Sequence, residues 1–357
     1  MFADTFKGKK VLITGNTGFK GSWLTVWLLK QGAQVFGYSN SVLTEPAMYR
    51  VLNLEQHITQ CWGDVRDKDT FAEFLEMTRP DFVFHLAAQA IVSTSYNNPW
   101  ETISTNVMGT ASVLEALKNY SHPLTAVIIT SDKAYDNVEW IWGYRENDRM
   151  GGKDIYSGSK GAAELVIKSY WHSFLKHKEN ILIAVARAGN VIGGGDWSKD
   201  RIVVDTIKAF ANNKPVEIRS PFATRPWQHV LEPLSGYLTL AKQLNENHKL
   251  NGETFNFGPR AEQLKTVKQL VEDIAKYWEI QAPVRITDTQ PFNEATLLKL
   301  NCDKAQALLS WHATLNYDQT VKLTANWYKD FYSQDVDMYG LTLSQIEYYE
   351  RCNANPT

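Results

Sequence analysis

Residues 10–32 read as strand, glycine turn and helix, and this stretch constrains the chain more than any other. Lys10-Val11-Leu12-Ile13-Thr14 is a short apolar run of the kind that forms a buried parallel strand. Gly15, Gly18 and Gly21 follow directly, spaced Gly-x-x-Gly-x-x-Gly, with Thr17 and Phe19 among them. Apolar residues then recur at Trp23, Leu24, Val26, Trp27, Leu28 and Leu29, and Gly32 signals the helix end. Glycines placed this way let the backbone turn tightly and approach a pyrophosphate, which rests on the N–H groups of the helix N-terminus. A glycine triplet alone also fits an ordinary turn. Between a strand and a helix it points to dinucleotide binding.

The pattern continues. Gln34–Ser39, Ile58–Trp62, Asp81–His85, Ala126–Thr130 and Ile181–Ala188 read as further strands, with helical periodicity between them. Alternation of this kind predicts an α/β fold, a doubly wound parallel sheet with helices on both faces. Its functional site is expected beyond the carboxyl ends of the strands. After residue 188 the alternation loosens into a smaller mixed α/β lobe. Strands are expected near Val216–Ile218, Thr254–Phe257 and Val284–Ile286, and helices near Pro233–Asn245, Thr266–Trp278 and Thr320–Phe331. Pro259, Pro283 and Pro291 punctuate this lobe. Residues 1–188 are thus assigned to dinucleotide binding and 189–357 mainly to the substrate. The net charge of −2 gives no electrostatic case for nucleic acid or an anionic membrane. No run reaches the roughly 18 apolar residues of a membrane span. Cys61, Cys302 and Cys352 lack metal-ligand spacing, and their odd number fits a reducing cytoplasm better than a disulfide framework.

Chemistry concentrates between Thr130 and Lys160. Ser131, Asp132 and Lys133 follow the fifth strand, and Tyr156 and Lys160 lie four residues apart at the start of a helix expected over Ile155–Lys176. That spacing puts phenol and amine on one helix face, where an ammonium lowers the tyrosine pKa and makes it a usable base. Ser131 would bond the oxygen that Tyr156 deprotonates. A protonated Asp132 can give a proton to a leaving hydroxyl, and a neutral Lys133 can take one from carbon. Both roles require shifted pKa values; the plain alternative is a salt bridge between the two.

The wording of these blocks resembles the nucleotide-sugar 4,6-dehydratases of the extended short-chain dehydrogenase/reductase family. The blocks are Gly15 to Gly21, Thr130-Ser-Asp-Lys-Ala-Tyr135, Tyr156 to Lys160, Arg187-Ala-Gly-Asn190, Gly193-Gly-Gly-Asp196-Trp197 and Arg225-Pro-Trp-Gln-His229. The resemblance runs from about residue 8 to about 345. Lys133 departs from the branch that uses dTDP-glucose, where glutamate removes the C5 proton, and is similar to the branch that uses CDP-glucose. It implies a Rossmann sheet rejoined by segments near 227–262. It implies NAD held by Gly15, Thr17, Gly18, Phe19, Gly21, Asp64, Val65, Leu86, Ala87, Ala88, Gln89, Asn106, Tyr156 and Lys160. The second strand ends without the acid that would hold an adenosine ribose, which leaves NAD against NADP open. Asp64 reads otherwise as a helix cap, and Asn106 as a helix-surface residue. Asn190, Arg201 and Arg225 would meet the substrate diphosphate, where guanidinium forks suit phosphate oxygens. Trp197 and Trp227 read as packing before base stacking. The resemblance further implies a cytoplasmic homodimer built through the helix bearing Tyr156, and a product bound for dideoxyhexoses of bacterial surface polysaccharide. A 4-epimerase or reductase of the same fold, and a non-catalytic dinucleotide-sensing protein, are the alternatives. An epimerase needs no acid for a leaving hydroxyl, so Asp132 separates the first from a dehydratase.

Overall fold

In the computed structural model, which describes residues 1–260, 264–281, 283–287 and 297–355, six strands lie parallel in one sheet. They are β1 (Lys10–Thr14), β2 (Gln34–Ser39), β3 (Thr59–Trp62), β4 (Phe82–His85), β5 (Leu124–Ile129) and β6 (Ile181–Ala188). A seventh strand, Thr254–Phe257, pairs parallel with β6. The order across the sheet is Thr254–Phe257, β6, β5, β4, β1, β2, β3. The chain therefore runs outward from β1 to β3, returns to place β4 beside β1, and then runs the other way. The reversal opens a crevice at the carboxyl ends of β1 and β4, the position that this topology reserves for a ligand.

Alternate residues of each strand enter opposite apolar layers. Val11, Ile13, Phe82, Phe84 and Val127 face one, and Leu12, Val83, Ala126 and Ile128 the other. Both faces are covered, which is why these strands read as unbroken apolar runs.

Several expected bounds move by a residue or two. β3 and β4 each begin one residue late, and β5 starts at Leu124. Thr130 lies past β5, yet its N–H still bonds the Ala186 carbonyl at 2.9 Å. The helix bearing Tyr156 ends at Ser173, where Phe174 leaves helical geometry before a short 3₁₀ turn. Asn106 sits in a π-helical turn, Ser104–Gly109, ahead of the helix Thr110–Asn119. Such turns bulge a helix and recur at functional sites.

Beyond β6, Val216–Ile218 pairs parallel with Val284–Ile286, and Thr224–Pro226 pairs antiparallel with Leu264–Thr266. Pro291 lies outside the described residues. Trp197 packs on Trp327, Tyr328 and Phe331, and the Trp227 indole bonds the Lys265 carbonyl. Both residues are buried packing elements. A last helix, Met338–Ala354, carries no pattern that the sequence reading singled out. It docks on α1 (Phe19–Lys30), where Glu350 accepts from the Trp27 indole at 2.8 Å, Lys30 at 2.8 Å and Gln31 at 3.1 Å.

Glu350→Ala strands the Trp27 N–H in a buried place. It should cost about 1–3 kcal/mol, the range for an orphaned buried donor, and lower the thermal midpoint by circular dichroism. Glu350→Gln keeps an acceptor and should lose less.

Candidate active site

Backbone geometry builds the crevice first. Gly15 has φ +72°, and a Cβ there would lie 2.8 Å from the Ala87 nitrogen. A Cβ on Gly21 would lie 2.2 Å from the Gly15 carbonyl oxygen. The turn is thus pressed against both the β4 exit and its own helix, and only glycine fits at either point. β4 is held to β1 by Leu86 N–H on the Thr14 carbonyl and by Ala87 N–H on the Thr14 hydroxyl. Gly18 caps α1 with no side-chain hydrogen bond, and the first turn carries no acid. The helix end is left to an outside anion. Thr17 bonds the Ser41 carbonyl and Phe19 packs toward Gly193. These features fit a dinucleotide: tight glycines, an uncapped helix end and the small residues Ala87 and Ala88 opposite.

Asp64 is not a helix cap. Asp67 caps the helix Lys68–Thr78, and Asp64 takes Arg66 through backbone and guanidinium. The hydrogen bonds from Arg66 hold its carboxyl below the usual range. Val65 is buried beside Gly109. Asn106 is buried as well, not a surface residue. Its amide accepts from Gln89 N–H at 2.8 Å and donates to the Gln89 carbonyl and to Ser159. It thereby ties the β4 exit to the helix bearing Tyr156.

The proton-moving groups do converge. Ser131 Oγ donates to Asp132 Oδ1 at 3.0 Å and accepts from Lys133 N–H at 3.2 Å. Asp132 is 5% exposed, Tyr156 8% and Lys160 7%. Burial raises the Asp132 pKa, against the pull of Lys133, Ser131 and Lys20. Among the described residues no salt bridge joins Asp132 to Lys133, so the plain ion-pair reading does not hold. Burial lowers Lys160 to about 8, with Glu164 opposing. One expectation is corrected here. Burial raises the Tyr156 pKa, Arg201 and the Ser131 hydroxyl pull it down, and Asp132 pushes it further up. The Lys160 ammonium lies 6.0 Å from the phenol ring centroid and does not drive that shift. Desolvation of the phenolate outweighs the attraction assumed from spacing alone.

Lys20 went unread in the sequence. It lies inside the glycine turn, between Phe19 and Gly21, where the local pattern does not mark it. It is half-buried, and burial lowers its pKa to about 8, with Asp132 and Asp196 opposing and Arg201 and Lys160 adding. Tyr135 and Arg187, which the sequence reading gave only as motif residues without a role, anchor the Asp132 turn from behind. Tyr135 donates to Asn256 at 2.8 Å and accepts from Arg187 at 2.6 Å. Arg187 in turn forks onto Glu164 at 2.7 and 3.0 Å.

A cleft of about 570 Å³ opens from Lys133, and Asn190, Arg201 and Arg225 all line it. Arg219 joins them as a third guanidinium, missed because nothing in its local sequence distinguishes it. Arg201 bonds the Ala90 carbonyl, and Asp200 accepts from Ser93 at 2.6 Å and from Arg219 at 3.5 Å. Among the described residues no cluster of His, Cys, Asp and Glu could hold a metal.

A doubly wound sheet, a dinucleotide crevice, a Ser-Tyr-Lys set and an adjoining cleft that carries three guanidiniums among balancing carboxylates define an oxidoreductase-type scaffold. The chain belongs to the GDP-mannose 4,6 dehydratase family, whose model matches residues 12–324. It is 45% identical over 328 residues, 91% of each chain, to the CDP-glucose 4,6-dehydratase of Salmonella typhimurium. The dTDP-glucose 4,6-dehydratase of Bacillus anthracis, solved in complex with NAD, superposes with TM-score 0.76 at 18% identity over 92% of this chain and 98% of that one. The UDP-glucose 4-epimerase of Thermotoga maritima superposes with TM-score 0.78 at 21% identity over 90% and 99%.

Gly15→Ala should cost roughly 1–3 kcal/mol of strain and weaken dinucleotide binding, read by quenching of tryptophan fluorescence. Gly8→Ala is the control. Gly8 also has positive φ, but open space surrounds its Cβ position, so dinucleotide binding should not change.

Proposed function

We propose that this protein converts CDP-D-glucose to CDP-4-keto-6-deoxy-D-glucose. The observation that carries the reading is a buried carboxyl, Asp132, kept toward its protonated form one residue from Ser131 and facing the site of Tyr156 and Lys160. The 45% identity to a CDP-glucose 4,6-dehydratase supports the same substrate. The glycine turn, Asp64, Val65, Leu86 to Gln89 and Asn106 would hold NAD, which would supply hydride chemistry between C4 and C6. The chain's residues do the rest. Tyr156 takes the C4 hydroxyl proton, with Ser131 bonded to the same oxygen. Lys160 holds the cofactor ribose. The C4 ketone acidifies the C5–H bond, and Lys133, at the cleft wall, removes that proton. Asp132 protonates the C6 hydroxyl, which departs as water. Arg201, Arg225 and Asn190 hold the diphosphate, joined by Arg219.

Exposed apolar residues on adjoining helical segments, among them Trp100, Ile103, Met108 and Leu165, support a homodimer formed beside the helix bearing Tyr156. Three free cysteines support a reducing, cytoplasmic setting. The product then enters deoxysugar synthesis for surface polysaccharide.

Purified protein incubated with CDP-, dTDP-, UDP- or GDP-glucose should release one water from the CDP sugar alone, by mass spectrometry. Unchanged mass with inverted C4 would turn the reading to epimerisation. Asp132→Asn should slow water loss by roughly 10²–10⁴-fold, the usual contribution of a general acid, while reduced-cofactor absorbance still rises transiently. Loss of that transient as well would refute the division of roles.

The pH dependence has a defined sign. Lys160 is an ammonium below about 8 and an amine above it. If the ammonium is the working form, kcat/KM declines as pH rises through about 8. Lys160→Arg, which does not titrate there, should move the decline out of range. A wild-type rate that climbs through pH 8–10 contradicts this.

A further inference from the structure

The cleft that carries Arg201, Arg219 and Arg225 also carries the carboxylates Asp200, Asp205 and Glu217. A diphosphate gains nothing from carboxylates, since like charges repel. They suit a group that donates hydrogen bonds. CDP-glucose has such groups in its hexose and ribose hydroxyls and in the 4-amino group of cytosine. Only the amine separates CDP from UDP, whose uracil carries a carbonyl oxygen at the same place.

Resting on the dehydratase reading above, we propose that Asp200 reads the base of the substrate, accepting a hydrogen bond from the cytosine 4-amino group. Asp200 is held on both carboxylate oxygens. Ser93, buried on the helix Val92–Asn97, donates to Oδ2 at 2.6 Å. Arg219, just past the strand Val216–Ile218, donates to Oδ1 at 3.5 Å. The backbone stands at φ +59°, in the left-handed region that residues other than glycine seldom enter. Each carboxylate oxygen keeps a further lone pair, and 36% of the side chain stays exposed on the cleft wall. Asp200 is therefore a fixed acceptor with capacity left for a ligand. The cleft is lined by both Lys133 and Asp200, so a sugar seated at Lys133 leaves its base further along. Arg201, next in sequence, bonds the Ala90 carbonyl and acts on Tyr156 and Lys20. Asp200 and Arg219 act instead on Asp205, in the helix Ile202–Ala211.

An ionised carboxylate accepts and cannot donate. Facing cytosine it takes an N–H, the pairing by which Asp and Glu read cytosine edges in nucleic acids. Facing uracil or thymine it meets a carbonyl oxygen, and neither side has a proton to give. The wrong base is then rejected by repulsion as well as by a lost bond. Glu217, on the same wall, is the rival reader.

Titration calorimetry of the NAD-loaded protein with CDP and with UDP tests the contact without turnover. Wild-type protein should bind CDP about 10- to 100-fold tighter than UDP, the discrimination that one well-placed polar pair supplies. Asp200→Asn, whose amide can turn to offer an acceptor or a donor, should bring that ratio down about 10-fold. The ratio compares two ligands on one preparation, so partial unfolding of the variant does not move it. Glu217→Gln should keep the wild-type ratio. With CDP-glucose, Asp200→Asn should raise KM and leave kcat within about twofold, because the lost contact lies away from the reacting carbons. Equal binding of CDP and UDP by the wild type overturns the proposal. So does an Asp200→Asn that weakens both ligands alike, the mark of a ribose or structural contact, or a ratio that moves with Glu217→Gln and not with Asp200→Asn. Wild-type protein that prefers CDP yet releases no water from CDP-glucose condemns the dehydratase reading and leaves the base contact standing, so the two failures are distinct.

Discussion

The fork between Arg187 and Glu164 holds the site together. Both side chains are buried, and the pair joins β6 to the helix that bears Tyr156 and Lys160. Thr130, at the β5 exit, donates to the same carboxylate, and Arg187 also reaches Tyr135 and the Glu146 carbonyl. Tyr135 closes the Asp132 turn onto Asn256 in the edge strand. Five separate segments thus meet on one ion pair. A buried pair of this kind adds little net stability against an apolar substitute. Removing one partner, however, leaves a bare charge indoors at a cost of roughly 3–5 kcal/mol. Its worth is positional: it sets where Ser131, Asp132 and Lys133 stand relative to Tyr156 and Lys160.

Burial then sets the charges. The same desolvation raises Asp132 and Tyr156 and lowers Lys160 and Lys20. Each group is pushed toward its neutral form, whatever its type. A site of near-neutral groups exchanges protons at small cost in charge separation, which suits a reaction that takes a proton from one hydroxyl, gives one to another and moves one off and back onto a carbon without net redox. Two guanidiniums of the adjoining cleft, Arg201 and Arg219, behave differently: they are exposed to water.

Much of this was legible in the residues. The alternating apolar runs define the sheet because strands buried on both faces have no other way to be written. Gly15 and Gly21 mark the turn because only glycine tolerates those approaches. Tyr156 and Lys160 share a face because helices repeat every 3.6 residues. Other features were hidden for equally physical reasons. Asn106 looks like any helix asparagine until the β4 exit is laid beside it. Lys20 and Arg219 sit in segments whose local pattern says nothing about what they face. The helix Met338–Ala354 has weak periodicity because part of its surface meets α1 through polar groups such as Glu350 rather than apolar ones.

The sequence by itself determined the doubly wound sheet, the dinucleotide turn and the list of groups able to move protons. These follow from local periodicity and backbone sterics, which act within a few residues. Only the tertiary structure decided the protonation tendencies of those groups. Spacing predicted a tyrosine made acidic by its lysine; packing made it less acidic, because desolvation depends on everything that surrounds the phenol and not on the neighbour four residues away. The tertiary structure also decided that Asn106 ties the β4 exit to the helix bearing Tyr156, through Gln89 and Ser159, a contact that adjacency in sequence does not record.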